Sequence, residues 1–401
     1  MFSLNKFINT HVTKRKGSMF ETDMHANAGR LFSEINGKSV LVIGGAGSIG
    51  ASFIRTILPF GPSELYVADT NENALTELTR DLRSGGFTVP SVYCPYPMDY
   101  SSVVFERFFT NHHGFDIVAN FSAHKHVRSE KDIYSIEALL RNNIINAKRL
   151  LDLLSSYPPG SYFCVSTDKA ANPVNLMGAS KRIMEDLIFS YSKLFPVKTA
   201  RFANVAFSNG SLPAGFMERI YKCQPVSAPM DVKRYFVSPE ESGQICLLAA
   251  MLGNNREIFF PKLEDTQMMT FDRIAEELLA EYGYSVLYCR SEEEAIEKSA
   301  ALKEGGKQYP VYFSISDTSG EKAFEEFYTD TESIDMQRFS SLGVITDKDI
   351  PDQKLVSGLI RSLEEVFQSG NANKEDIVHL IASYLPDFKH TETGKSLDEK
   401  M

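Results

Sequence analysis

The feature that most constrains this chain is an apolar run, Ser39 to Ile43, that empties into Gly44-Gly45-Ala46-Gly47-Ser48-Ile49-Gly50 and then a helix-like segment. Glycines at such a junction let the backbone turn tightly and bring N–H groups close to a pyrophosphate at a helix N-terminus. A second apolar strand, Glu64 to Ala68, ends at Asp69, which lies 69 − 50 = 19 residues past the last glycine. An acidic residue about 20 residues on hydrogen-bonds the adenosine ribose in dinucleotide-binding folds. That carboxylate would repel a 2′-phosphate, and Thr70, Asn71 and Glu72 supply no arginine to receive one. NAD is therefore expected, with NADP as the alternative. The expected cofactor residues here are Gly44, Gly47, Ser48, Ile49, Gly50 and Asp69.

Apolar strands recur at Asp116–Ala123, Tyr162–Thr167 and Val197–Phe202, separated by helix-length segments. This alternation predicts an α/β chain with a Rossmann-type doubly wound parallel sheet. After Phe202 the rhythm changes, and Gly210, Pro213, Gly215, Pro225 and Pro229 break the chain into short pieces. A smaller α/β substrate-binding part is expected there, with helices near Phe271–Tyr282 and Glu292–Leu302. The expected organisation is a helical leader at 1–37, a dinucleotide-binding domain at 38–202 and a mainly substrate-binding domain at 203–345. C-terminal helices and a tail follow at 346–401, with an amphipathic helix near Asp376–Tyr384. The leader is expected to pack on the main domain or on a partner subunit.

Several functions are disfavoured. A net charge of −10 argues against nucleic acid, which selects basic surfaces. The five cysteines lie far apart, without metal-ligand spacing, and read as thiols of a reducing cytoplasm. No run approaches ~20 apolar residues, so no membrane span is expected, and no secretory signal follows the basic Lys14-Arg15-Lys16. His124 and His126 stand two apart with no carboxylate beside them, a poor metal pattern. A cytoplasmic enzyme is the expectation.

The chemistry-bearing residues gather where two strands end. The fourth strand runs into Ser122-Ala123-His124-Lys125-His126-Val127, and the fifth into Ser166-Thr167-Asp168-Lys169, followed by Met177 and Lys181. Open parallel sheets bind ligands at such carboxyl ends. A hydroxyl, a carboxylate and two amines there can move protons as well as a hydride. Ala123 is expected near the cofactor, and Lys125 near cofactor or substrate. Asp99 would either meet the adenine amino group or cap a helix. Asp168 and Lys169, adjacent on an extended segment, are expected to point apart, which suits opposite roles.

Taken together, GGAGSIG, AHKHV, STDKAANPVNLMGASK, RFANVAFSNGSLPAGF, RYFVSPEE and SGEKAFEEF resemble one family over roughly residues 38–335. It is that of the UDP-N-acetylglucosamine 4,6-dehydratases of the polysaccharide-biosynthesis type, extended members of the short-chain dehydrogenase/reductase superfamily. The resemblance implies a lyase that passes hydride from sugar C4 to a nicotinamide and back to C6. It implies Lys169 as the base at C5, Asp168 as the acid for the departing C6 hydroxyl, and Thr167 as hydrogen-bond partner of the C4 oxygen. Lys181 would hold the nicotinamide ribose. Met177 stands where the superfamily usually has a catalytic tyrosine, which resembles a dehydratase branch, often membrane-tethered, that retains configuration at C5. Asn204, Ser211 and Arg234 match positions near the diphosphate and nucleotide, with a surface ion pair the other reading of Arg234. Asn143 matches an asparagine used structurally near the site.

Two departures stand out: Asp317-Thr318-Ser319-Gly320-Glu321-Lys322 lacks the arginine usual before GEK, and Arg128 replaces a proline. The superfamily commonly pairs through helices corresponding to Ile133–Leu154 and Ser180–Leu194, so a homo-oligomer is expected. A nucleotide-sugar 4-epimerase or 4-ketoreductase and a non-catalytic dinucleotide sensor remain as alternatives.

Overall fold

The computed structural model describes residues 2–316, 322, 324 and 326–390. Gly320-Glu321 of the GEK motif, the polar tail and the side chain of Arg128 lie outside the described residues. Six parallel strands form the centre: β1 (Ser39–Ile43), β2 (Glu64–Asp69), β3 (Val92–Pro97), β4 (Ile117–Asn120), β5 (Ser161–Thr167) and β6 (Val197–Phe202). Their spatial order is 3-2-1-4-5-6. A seventh strand, Glu257–Pro261, lies parallel beside β6, and Leu342–Thr346 and Ser333–Asp335 complete that edge antiparallel. The strand order reverses between β1 and β4, the switch point where such sheets leave a crevice.

Burial explains the strand sequences. Val40 to Ile43 of β1 are at most 1% exposed, as expected for a strand covered by helices on both faces. β3 carries Pro95 and Pro97 and lies at the sheet's edge, where a missing ladder N–H is tolerated.

A second core surrounds a three-stranded parallel sheet of Val226–Pro229, Gln308–Ser314 and Ser285–Tyr288. The helices Leu212–Tyr221 and Phe271–Glu281 pack on it through Phe216, Ile274 and Leu278. The 203–345 span is not one unit, however. Its helix Pro239–Leu252 and its strands Glu257–Pro261, Ser333–Asp335 and Leu342–Thr346 join the first sheet and core. The reason is visible in that helix, where Ile245 to Ala250 are all fully buried. A helix apolar all round needs cover on every side.

The leader straps the two cores together. Phe7, Ile8 and Val12 belong to the second core, whereas Phe20, Leu31 and Ile35 belong to the first. Between them Arg15 forks onto Glu241 at 2.8 and 2.6 Å, and the Asp23 carboxylate receives the N–H groups of Ser340 and Ser341.

At the other end, helices Gln353–Gln368 and Lys374–Tyr384 pack together, and the former lies against the helix Leu176–Ser190. Along that helix every residue is buried except the half-buried Arg182 and Asp186. Tyr384 donates to Asp186 at 3.3 Å, and the Arg141 guanidinium lies over the Phe367 ring. The Leu176–Ser190 helix is thus packed against the chain's own C-terminal helices, while Tyr134 on the other expected pairing helix stays exposed.

Candidate active site

At the end of β1 the backbone approaches itself more closely than any side chain permits. Gly44 has φ +70°, and a Cβ there would lie 2.7 Å from the Ser122 nitrogen on the β4 exit. A Cβ on Gly50 would lie 2.4 Å from the Gly44 carbonyl oxygen. Gly47 immediately precedes the helix Ser48–Ile57, whose first-turn N–H groups face the crevice end of the sheet. Ile49 packs against the core. Asp69 is held rigid: its two carboxylate oxygens accept the Ala46 N–H at 3.0 Å and the Asn71 N–H at 2.9 Å. A glycine cradle, a helix N-terminus and an oriented carboxylate fit a dinucleotide.

Asp99 is not a helix cap. Its Oδ1 accepts the Ser101 N–H and hydroxyl, a local turn that brings Ser102 into the capping position of Val103–Asn111. The aspartate itself stays exposed at the carboxyl end of β3.

The β4 exit is held by Asn143, which is 2% exposed. Its Oδ1 accepts the His124 N–H, and its Nδ2 donates to the His124 carbonyl and to the Ser180 hydroxyl, all at 2.9 to 3.0 Å. Asn143 lies in a π-helical stretch, Arg141–Asn146, of the kind that recurs at functional sites. Ala123 is half-buried beside it. Lys125 extends its ammonium to the Asn209 carbonyl at 2.9 Å, and the Asn209 N–H donates to the Ser48 hydroxyl at 2.9 Å. The loop after Phe207, itself at φ 55°, therefore spans from the second core to the glycine loop. Burial and then the charge of Lys181 push the His124 pKa down.

At the β5 exit the expected divergence of Asp168 and Lys169 does not occur. Asp168 opens a one-turn helix, Asp168–Ala170, so the two side chains fall on the same side. Its Oδ1 accepts the Thr167 hydroxyl at 2.7 Å, the Lys169 N–H at 2.9 Å and the Lys169 ammonium at 3.2 Å. Asp168 is 4% exposed. Met177 and Lys181 lie one turn apart on the helix Leu176–Ser190, both buried. Lys181 donates to the Val165 carbonyl at 3.1 Å, and burial lowers its pKa.

Beneath this cluster runs a chain of buried charges. Ser166 donates to Glu185, Glu185 is forked by Arg201, and Arg201 reaches Glu332, which also meets Lys348. Burial would raise the Glu332 pKa, but Arg201 and Lys348 outweigh it and bring it down to about 2.

The residues expected at the substrate lie on three separate elements after β6. Asn204 lies in a two-residue strand paired with Phe236–Val237. Ser211 caps the helix Leu212–Tyr221. Arg234 is 5% exposed and donates to the carbonyls of Lys233 and Lys322, so it is buried rather than at the surface. Sequence reasoning does not single out Glu130, Glu185 or Asn209. Of these only Asn209 lies inside a recognisable motif, SNGSLPAGF. A cavity of about 300 Å³ lined by Gly37, Ser39, Ser63, Glu64 and Asp116 sits at the amino ends of β1 and β2, away from this cluster.

Comparison with known proteins fits this geometry. The family model described as polysaccharide biosynthesis protein matches residues 40–346. An uncharacterized membrane protein of Methanocaldococcus jannaschii is 30% identical over 358 residues, covering 87% of this chain and 97% of that one. The probable polysaccharide biosynthesis protein EpsC of Bacillus subtilis is 29% identical over 74% of this chain, which spans only 48% of that relative. An inverting UDP-N-acetylglucosamine 4,6-dehydratase of Campylobacter jejuni is 24% identical over 75% of this chain and 84% of its own. Among solved structures, Pen from Bacillus thuringiensis superposes with a TM-score of 0.62 at 20% identity, over 78% of this chain and 89% of that one. That likeness concerns the fold. Among the described residues no helix is long and apolar enough to cross a membrane.

Proposed function

The chain belongs to the polysaccharide biosynthesis protein family, and from that premise we propose that it is a nicotinamide-dependent 4,6-dehydratase of a nucleotide-linked N-acetylhexosamine. UDP-N-acetylglucosamine is the substrate we favour, in line with the Campylobacter relative. The observation that carries this reading is the Thr167–Asp168–Lys169 cluster, two strands from the glycine loop and beside Lys181. An epimerase does not need that acid–base pair. We take the cofactor as NAD, because Asp69 would oppose a 2′-phosphate.

Bound in the Gly44–Gly50 cradle, NAD would supply a hydride acceptor for sugar C4 and a donor for C6. The chain's own residues handle the protons. Met177 has a thioether that neither gives nor takes one. Asp168, hydrogen-bonded to the Thr167 hydroxyl, accepts the C4 hydroxyl proton. Lys169, 17% exposed and 3.2 Å from Asp168, releases a proton to water so that it can act as a base. The neutral amine then takes the C5 proton while Asp168 protonates the departing C6 hydroxyl. Lys169 returns a proton to C5, and both groups end as they began once the amine is reprotonated. Lys181 holds the ribose, and its ammonium favours ionisation of the C4 hydroxyl. Arg234, Ser211, Asn204 and Lys125 are the groups for the diphosphate and nucleotide.

The test is incubation with UDP-N-acetylglucosamine in deuterated water followed by proton NMR. A new C6 methyl signal with deuterium at C5 is expected, and its coupling constants report the C5 configuration. Intact substrate in a protein with NAD bound would overturn the reading for this sugar. Inversion at C4 alone would identify an epimerase.

A further inference from the structure

Glu130 stands at a junction that the proposed chemistry does not use. It ends the one-turn helix Val127–Glu130, five residues beyond Lys125, and it is 7% exposed. Its Oε1 accepts the N–H of Met177 at 3.2 Å, in the first turn of the helix that carries Lys181 one turn later. Its Oε2 meets the His390 Nε2 at 3.1 Å, and its carbonyl accepts from the Lys374 ammonium at 3.3 Å. A carboxylate at a helix N-terminus is favourable, and a buried one must be partnered. The same strip of backbone is pinned a second time at His124, where Asn143 also holds Ser180. Lys125 lies between the two pins.

We propose that the C-terminal segment braces the active site through Glu130. In this arrangement Glu130 and His390 are positioning residues that hold the β4 exit against the helix bearing Met177 and Lys181. The packing supports a brace rather than a chance contact. The helix Gln353–Gln368 lies along the Leu176–Ser190 helix, and Tyr384 ties the last helix to Asp186 on it. Lys374 and His390 thus stand at the start of the last helix and just past its end, and Tyr384 ties that helix to the one they help to position. Displacing a reacting group by about 1 Å can cost on the order of a hundredfold in rate, so loss of the brace affects turnover more than binding.

The kinetic arm of the test rests on the dehydratase reading, and a second arm does not. Full-length His390→Ala, His390→Gln, Lys374→Met and Glu130→Ala are prepared with NAD bound. Hydrogen exchange is read over residues 122–130 and 176–181, and turnover is measured with UDP-N-acetylglucosamine. His390→Ala and Glu130→Ala are expected to exchange faster in these two segments alone. Their kcat should fall about tenfold with KM changed by less than about twofold. His390→Gln keeps a donor and should recover most of the loss. Unchanged exchange and kcat in His390→Ala would overturn the brace, as would faster exchange spread over the whole chain. If Glu130→Ala fails to fold, His390→Ala and Lys374→Met carry the test. If the wild-type protein leaves the sugar intact, the functional reading fails and the exchange arm still decides the brace.

Discussion

The ends of β1 and β5 lie two strands apart in one sheet, yet they are built on opposite principles. At β1 the site is backbone: Gly44 and Gly50 sit where a Cβ would lie 2.7 and 2.4 Å from main-chain atoms. At β5 it is side chain: Thr167, Asp168 and Lys169 are bonded to one another above the buried run Ser166–Glu185–Arg201–Glu332. A backbone site has one solution in residue type, so it is written in a few consecutive positions. A side-chain site can be assembled from any elements that pack together, so its supports are scattered.

The comparison breaks most sharply at Asp168. Asp168→Asn keeps the shape but cannot cycle a proton, and kcat should fall by about 10²–10⁴-fold while NAD stays bound. Substrate turnover beside cofactor occupancy checks this, and retained turnover would remove Asp168 from the chemistry. Next comes the support beneath it. Arg201→Met removes the guanidinium shared by buried Glu185 and Glu332, leaving Lys348 to Glu332 and the longer Arg182 contact to Glu185, at a cost of about 3 kcal/mol measurable as a fall in melting temperature. At β1 the effect should be narrower. Gly50→Ala must push the loop aside at about 1–3 kcal/mol, and the prediction is weakened NAD binding by calorimetry with little change in fold.

Two smaller effects sharpen the contrast. The folded pKa of Glu332 is about 2, below its ordinary value, so its stabilisation is full above the ordinary carboxylate range and is lost as pH falls through about 2. Thermal melts from pH 5 downward should show this slope, and Glu332→Gln should flatten it. Asp69→Ala, at the backbone site, should narrow the preference for NAD over NADP by about tenfold, read from the two dissociation constants. No narrowing would detach Asp69 from cofactor choice.

Part of this architecture is legible in the order of residues alone. The apolar runs of β1, β4 and β5 and the glycine loop between β1 and its helix declare a parallel sheet with a crevice. Local reasoning misleads at Asp168, where an extended segment would separate it from Lys169 and a one-turn helix instead brings them together. The burial of Arg234 is likewise not legible, since a lone arginine carries no sign of being 5% exposed and bonded to the Lys322 carbonyl.

By itself, then, the sequence determined the sheet, its winding and the position of the glycine loop, because period, burial and glycine geometry act over a few neighbouring residues. Only the tertiary structure decided the rest. It drew the helix Pro239–Leu252 into the first core, laid the leader across both cores, covered the Leu176–Ser190 helix with C-terminal helices and brought His390 to Glu130 across 260 residues. Those contacts join residues far apart along the chain, and partners chosen by packing and by the need to pair buried charge leave no local pattern to read.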